Sequence, residues 1–245
     1  MVKQKNEFSK FFNSSDYITL KNQLFNYKLR KYMLAKDYRK YFLNNKKTKI
    51  IDIGCGISPV SPNVRDTIFI ESDKNAVKIL KNLGYNSIEG DICDIPLNKD
   101  FADAIFCSEV LEHVPDYKKA IKEFFRVLKK DGLLLITVPI HKKYWAFDDD
   151  YVGHLRRFNP DKLAEELKDN KFDILNMKPI GSFVEREITK LMVRMAMNQK
   201  GTGKMSNLKI KLFGILNQIF FGISYLGYLF NNKNNSSIIM IACKK

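Results

Sequence analysis

The run Ile50-Ile51-Asp52-Ile53-Gly54-Cys55-Gly56 constrains this chain most, because it reads as a buried strand that ends directly in a glycine turn. β-Branched residues around an acidic position suit a parallel strand covered on both faces, and two glycines let the chain turn sharply with no Cβ in the way. A small ligand can meet bare backbone there. Open α/β sheets bind their ligands at this strand end.

The spacing separates two nucleotide-binding chemistries. A dinucleotide fingerprint needs glycine at its first, third and sixth positions, and the sixth position here is Pro59. Asp52 lies before the turn, where its charge would repel a pyrophosphate but can hold a cation or an ammonium group. That favours S-adenosylmethionine over NAD. The next acidic residue agrees: Thr67-Ile68-Phe69-Ile70 reads as a second strand, and Glu71 stands at its end, 19 residues after Asp52, where a carboxylate can accept from both ribose hydroxyls. Ser72-Asp73 then offers an N-cap for a helix through Ala76, Val77, Ile79, Leu80 and Leu83, stopped by Gly84. A third acidic site follows at Glu89-Gly90-Asp91-Ile92, where Asp91 can accept from an adenine amino group while Ile92 packs on the ring. The fourth strand, Phe101 to Cys107, runs into Ser108-Glu109-Val110-Leu111-Glu112-His113-Val114.

With these residues assembled, the chain resembles the class I S-adenosylmethionine-dependent methyltransferases, in particular the group with a G-x-G first motif and an L-E-H-V segment after the fourth strand. The resemblance covers about residues 48 to 181 and returns near Ile238 to Lys244. It implies a Rossmann-like α/β fold whose seven-stranded sheet is mostly parallel, with the last strand antiparallel. It also implies S-adenosyl-L-methionine as cofactor, contacted by Asp52, Gly54, Cys55, Gly56, Glu71, Ser72, Asp91, Ile92 and Ser108. One departure stands out. Only ten residues separate Gly56 from Thr67, and Pro59 and Pro62 among them resist a regular helix, so the usual first helix is expected to be short or irregular.

Downstream, Pro115 and Asp116 open a helix with an apolar face of Ala120, Ile121, Phe124, Phe125, Val127 and Leu128. Asp131-Gly132 then turns into Leu133 to Pro139, a strand apolar enough to be central. The loop from Ile140 to Phe158 gathers aromatics, acids, histidines and arginines, and its end resembles the G-H-x-R-R-F/Y motif of this group, just before the helix start Asn159-Pro160. Methyl transfer mainly needs alignment, which supplies about 7 to 11 kcal/mol at best. A hydroxyl acceptor must also lose a proton, and the bases with a near-neutral pKa are His113, His141 and His154. His154 ranks first and His113 second. Arg156 and Arg157 either grip an anionic acceptor or pair with Asp148, Asp149 or Asp150.

The charge is unevenly placed. Residues 1–49 carry a net +10, residues 50–181 a net −3, and residues 182–245 a net +8. The division expected is a basic helical segment over 1–48, a cofactor-binding core over 49–181, a basic apolar helical insertion over 182–236, and the closing core strand over 237–245. The first segment mixes lysines with Tyr17, Leu20, Leu24, Tyr27, Tyr32, Tyr38 and Tyr41, and either packs on the sheet or caps the cleft. Within the insertion, Leu212 to Phe230 is nearly apolar over 19 residues, with Lys204, Lys209 and Lys211 before it. A span needs roughly 20 residues, but Asn217 and Gln218 interrupt this one, and the chain must return to the sheet. An interfacial or re-entrant helix pair is the better expectation, with a buried core helix as the alternative. The four cysteines show no metal spacing, no metal is expected, and the thiols of a cytoplasmic chain would be reduced.

These features point to a small-molecule or lipid-linked acceptor, such as a polyprenyl-linked sugar, a quinone precursor or a lipid headgroup, met at an anionic membrane surface. Nucleic acid ranks behind it, because phosphate needs the lysines but not the phenylalanines, and no N/D-P-P-Y/F segment follows the fourth strand. A non-catalytic scaffold is the third alternative.

Overall fold

A computed structural model of the chain describes residues 22–42, 48–181, 183–198, 207–230 and 235–245. Its centre is a seven-stranded sheet of β1 (Ile50–Ile53), β2 (Thr67–Glu71), β3 (Ser87–Glu89), β4 (Ala102–Ser108), β5 (Leu128–Pro139), β6 (Phe172–Ile180) and β7 (Ser237–Lys244), in the order β3-β2-β1-β4-β5-β7-β6. β7 slots between β5 and β6 and runs antiparallel to both, while the remaining pairs are parallel. The order reverses at β1, so the carboxyl ends of β1 and β4 flank the crevice where ligands of such sheets bind.

Strand alternation divides the core between two faces. Ile51, Ile53, Ile105 and Cys107 pack under α3 (Tyr117–Val127) and α5 (Pro160–Asp169), against Ile121, Phe124 and Leu167. Ile50, Ala104, Phe106, Leu135 and Ile241 face the other way and pack on Leu29, Met33, Leu34 and Tyr38 of α1 (Phe25–Phe42). Of the two expectations for the basic segment, packing on the sheet is therefore the one realised over residues 25–42; Tyr17 and Leu20 lie outside the described residues. Burial of Tyr27 and Tyr38 removes two of the tyrosines that base stacking would need.

Local chemistry explains the element ends. Asp73 caps α2 (Lys74–Asn82) by accepting from the amides of Asn75 and Ala76, and Gly84 follows the helix at φ +79°. Asn159 caps α5 through the Lys162 amide, with Pro160 in its first turn. Two expectations are corrected. Residues 54–66 form no helix, because Val60 and Ser61 turn their amides back to Asp52 instead of onward along a helix axis. Leu128 belongs to β5 rather than to α3; pairing with Ala102 begins there, and Asp131-Gly132 is absorbed as an irregularity inside the strand.

Two helices, α6 (Phe183–Asn198) and α7 (Asn207–Phe230), lie between β6 and β7. α7 runs beside α1, with Phe220 against Phe25 and with Phe221 and Tyr225 edge-on to Tyr32. Asn217 does not interrupt an apolar face. It is buried, its Oδ1 accepts from the Phe25 amide at 3.0 Å at the start of α1, and its Nδ2 donates to the Phe213 carbonyl.

Candidate functional site

The turn after β1 is built for a tight approach. Gly54 and Gly56 hold φ values of +67° and +56°, and a Cβ on Gly54 would stand 2.6 and 2.7 Å from the methyls of Val110, which follows β4. Glu71, at the end of β2, accepts from the amide of Gly56 at 2.8 Å through one oxygen and from those of Ser72 and Asp73 through the other. These bonds fix the carboxylate against the turn, and Oε2, with one donor, retains accepting capacity.

Asp52 is buried, and its Oδ2 accepts from the Val60 and Ser61 amides, each at 2.8 Å. Its Oδ1 has no hydrogen-bond partner among the described residues. α1 braces the same stretch from the other side, where the Tyr27 hydroxyl and the Lys31 ammonium donate to the Pro59 carbonyl at 2.7 and 3.0 Å. Burial pushes the Asp52 carboxyl up to about 7, against the pull of its two amide donors and Lys31. A folded-state value raised from 3.8 to about 7 gives stability that is complete below pH 4 and is lost as pH rises through 7. Thermal melts without ligand should therefore show stability falling by on the order of 4 kcal/mol between pH 4 and 8. Asp52→Asn should flatten that slope, and an unchanged slope in the variant would assign it elsewhere.

The remaining cofactor-side candidates sit along the same edge. Gly90 passes close to Ile70 and Pro96, with no room for a Cβ, and delivers Asp91, which is exposed and accepts from the Cys93 amide, with Ile92 half-buried beside it. Ser108 exchanges a hydrogen bond of 2.8 Å with Thr137 of β5, and Thr137 donates to Glu109. Cys55 follows Gly54 in the turn, half-buried. The orphaned Asp52 oxygen, the open backbone of the turn and the anchored Glu71 suit the ammonium and ribose of S-adenosylmethionine.

The acceptor-side candidates come from two loops stitched together. The first holds a short 3-10 turn, Leu111–His113. The second holds α4 (Phe147–Val152), ended by Gly153 in the left-handed region. The Leu155 amide donates to the Glu112 carbonyl, His113 Nδ1 meets the Gly153 carbonyl at 3.2 Å, and Arg156 donates to the carbonyls of Val114 and Pro115 while lying over the Tyr117 ring. His113 and His154 are thereby brought together, with ring centroids 4.8 Å apart. Arg156 spends its guanidinium on joining the loops. Arg157 pairs with Asp149 at 2.9 Å, the salt-bridge alternative of the sequence reading. His141, the third histidine, contacts Tyr144 instead.

Two carboxylates matter most here: the sequence offered Asp149 only as one of three salt-bridge partners and gave Glu112 no role. Asp149 is fully buried and accepts from His154 Nδ1 at 2.6 Å, from Arg157, from Arg186 of α6 and from the Ala146 amide. Despite burial, these donors hold its carboxyl down at about 2. Glu112 is also fully buried, lies 3.8 Å from His154 Nε2, and burial pushes its carboxyl well up. The available signal was the E-x-x-E-H spacing of Glu109, Glu112 and His113, read there only as part of a family segment.

A sheet of this order, a glycine turn after β1 and carboxylates at successive strand ends define a Rossmann-like methyltransferase fold. Residues 51–136 match the family described as methyltransferase domain. Among curated relatives, it is 32% identical over 108 residues to 2-methyl-6-phytyl-1,4-hydroquinone methyltransferase 1 of Oryza sativa, covering 40% of this chain and 32% of that protein. It is 31% identical over 116 residues to a tRNA (carboxymethyluridine(34)-5-O)-methyltransferase of Arabidopsis thaliana, covering 45% of this chain and 27% of that one. The chain thus spans about a third or less of the length of these two relatives. Its fold is similar to that of a putative sarcosine dimethylglycine methyltransferase from Galdieria sulphuraria, with a TM-score of 0.63 and 16% identity over 88% of this chain and 85% of that one.

Proposed function

We propose that the chain transfers a methyl group from S-adenosylmethionine to an oxygen of a small, lipid-linked acceptor that it meets at an anionic membrane surface. The observation that carries the acceptor class is the outer face of α7. Leu212, Ile215, Leu216, Ile219, Ile223 and Leu226 recur at helical spacing, and each is at least 42% exposed. So continuous an apolar stripe on a helix with no acidic residue, and with Lys211 exposed at its start, suits an interfacial position. No helix among the described residues is long and apolar enough to cross a membrane, which agrees with a helix lying in the interface.

S-adenosylmethionine would supply a methyl group on a sulfonium, poised for in-line displacement. Glu71 and Asp52 would hold its ribose and ammonium at the turn. The loops carrying His113 and His154 would receive the acceptor. Asp149 is ionised and accepts only, so it sets the His154 tautomer with hydrogen on Nδ1 and leaves the Nε2 lone pair for a proton. His154 Nε2 would take the proton that an acceptor hydroxyl gives up as it receives the methyl group.

Transfer of labelled methyl into total cell extract, followed by partition, tests this function. Label should enter the organic fraction and should fall about 100-fold or more with His154→Ala, within the range of general-base effects, while cofactor affinity holds. Label recovered in RNA would overturn the acceptor class, and no transfer to any fraction would overturn the activity.

A further inference from the structure

Glu112, His113 and His154 bring three potential ligand atoms together beside the loops of the site. One donor atom from each lies within 4.8 Å of the others. Glu112 has both carboxylate oxygens buried and without a hydrogen-bond partner among the described residues, although its side chain is fully enclosed. A buried carboxylate left with neither donor nor cation is costly, so its oxygens call for one or the other.

The two histidines face that carboxylate with matched tautomers. His113 Nδ1 lies against the Gly153 carbonyl and His154 Nδ1 against the Asp149 carboxylate, which also meets the guanidinium groups of Arg157 and Arg186, so both partners accept. Each ring must therefore carry its hydrogen on Nδ1, which makes Nε2 the lone-pair atom. Anchoring one ring nitrogen to a carbonyl or carboxylate is how proteins orient histidine ligands for metals. The backbone bond from Leu155 to the Glu112 carbonyl and the Arg156 bonds across the loops hold the three residues together from outside.

We infer that Glu112, His113 and His154 bind one divalent transition-metal cation. Two imidazoles and a carboxylate suit zinc, manganese, iron or cobalt rather than magnesium or calcium, which prefer all-oxygen sites. Three tetrahedral ligands about 2.0 to 2.2 Å from a common ion stand about 3.3 to 3.6 Å apart, so side-chain rotations closing the cluster by up to about 1 Å complete the site. Three protein ligands leave coordination positions open. The inference rests on the proposed function and alters one part of it: with the cation bound, His154 would serve as a ligand rather than as the base, and an acceptor hydroxyl at an open position would give its proton to solvent near neutral pH.

The test needs neither turnover nor acceptor. The tag-free full chain, stripped with a chelator, is titrated with cobalt(II), manganese(II) and zinc(II) by calorimetry. One equivalent should bind, and Glu112→Gln and His113→Ala should each weaken binding at least tenfold, whereas His141→Ala should not. Because either cluster variant can fail to fold, the wild-type chain is also followed by NMR, where cobalt should shift the ring signals of two of its three histidines and spare the third. Binding below a tenth of an equivalent for all three ions, or a shift of His141 instead, overturns the site. Methyl transfer without metal binding overturns the site alone, and metal binding without methyl transfer overturns the proposed function alone.

Discussion

Gly54→Val should reduce S-adenosylmethionine affinity by at least 100-fold while leaving the chain folded. Two costs add at this position. The residue sits at φ +67°, where an L side chain is disfavoured by about 1 to 2 kcal/mol, and its Cβ would stand 2.6 Å from a methyl of Val110. Val110 is β-branched and stiff, so it cannot swing aside without moving the start of the loop that carries Glu112 and His113. Relief comes more cheaply by displacing the glycine turn, which carries the backbone the cofactor must approach and the Gly56 amide that anchors Glu71. Calorimetric titration measures the loss, and circular dichroism confirms the fold. Affinity within threefold of wild type would mean that the cofactor does not approach this turn.

The second large effect is expected at Asp149. Replacing it with asparagine removes the charge that compensates Arg157 and Arg186, both buried, and presents an amide group to a set of donors. Breaking a buried pair by removing one partner costs about 3 to 5 kcal/mol, and here one carboxylate serves two guanidiniums and an imidazole. Chemical denaturation should show a loss of that order. Under conditions where the variant stays folded, the His154 tautomer is no longer enforced, so turnover should fall by about 1,000-fold or more, as when a buried aspartate orienting a catalytic histidine is neutralised. Cofactor binding should change little, because Asp52, Gly54 and Glu71 are held by other contacts. A stability loss under 1 kcal/mol would show that Asp149 is not the centre of this network.

What the sequence made legible was chemistry with a local signature. The strand-to-glycine turn, Glu71 at the end of β2 and the Asp73 and Asn159 caps all follow from residues within one element of each other. The stretch after Gly56 was legible only in the negative. Two prolines argued against a regular helix, but nothing local showed that Val60 and Ser61 would spend their amides on Asp52. Asp148, Asp149 and Asp150 look alike in the sequence, and the two that turn inward, Asp148 and Asp149, meet Arg186, some 37 residues away in another helix. Asn217 read as a flaw in an apolar run because the run was considered alone; its partner is the first amide of a helix 192 residues earlier. Glu112 was hidden by its company, since a glutamate between leucine and histidine gives no sign that it will be enclosed.

Arg186 has a consequence for how this chain can change. It reaches from α6, inside the excursion between β6 and β7, to both Asp148 and Asp149, and so helps to hold the loop that presents His154. The excursion is therefore not a detachable cassette. A lineage that swapped it for another in order to meet a different molecule would also have to supply a replacement cation at the same spot. Substitutions along the exposed stripe of α7 carry no such debt, and diversification should concentrate there first.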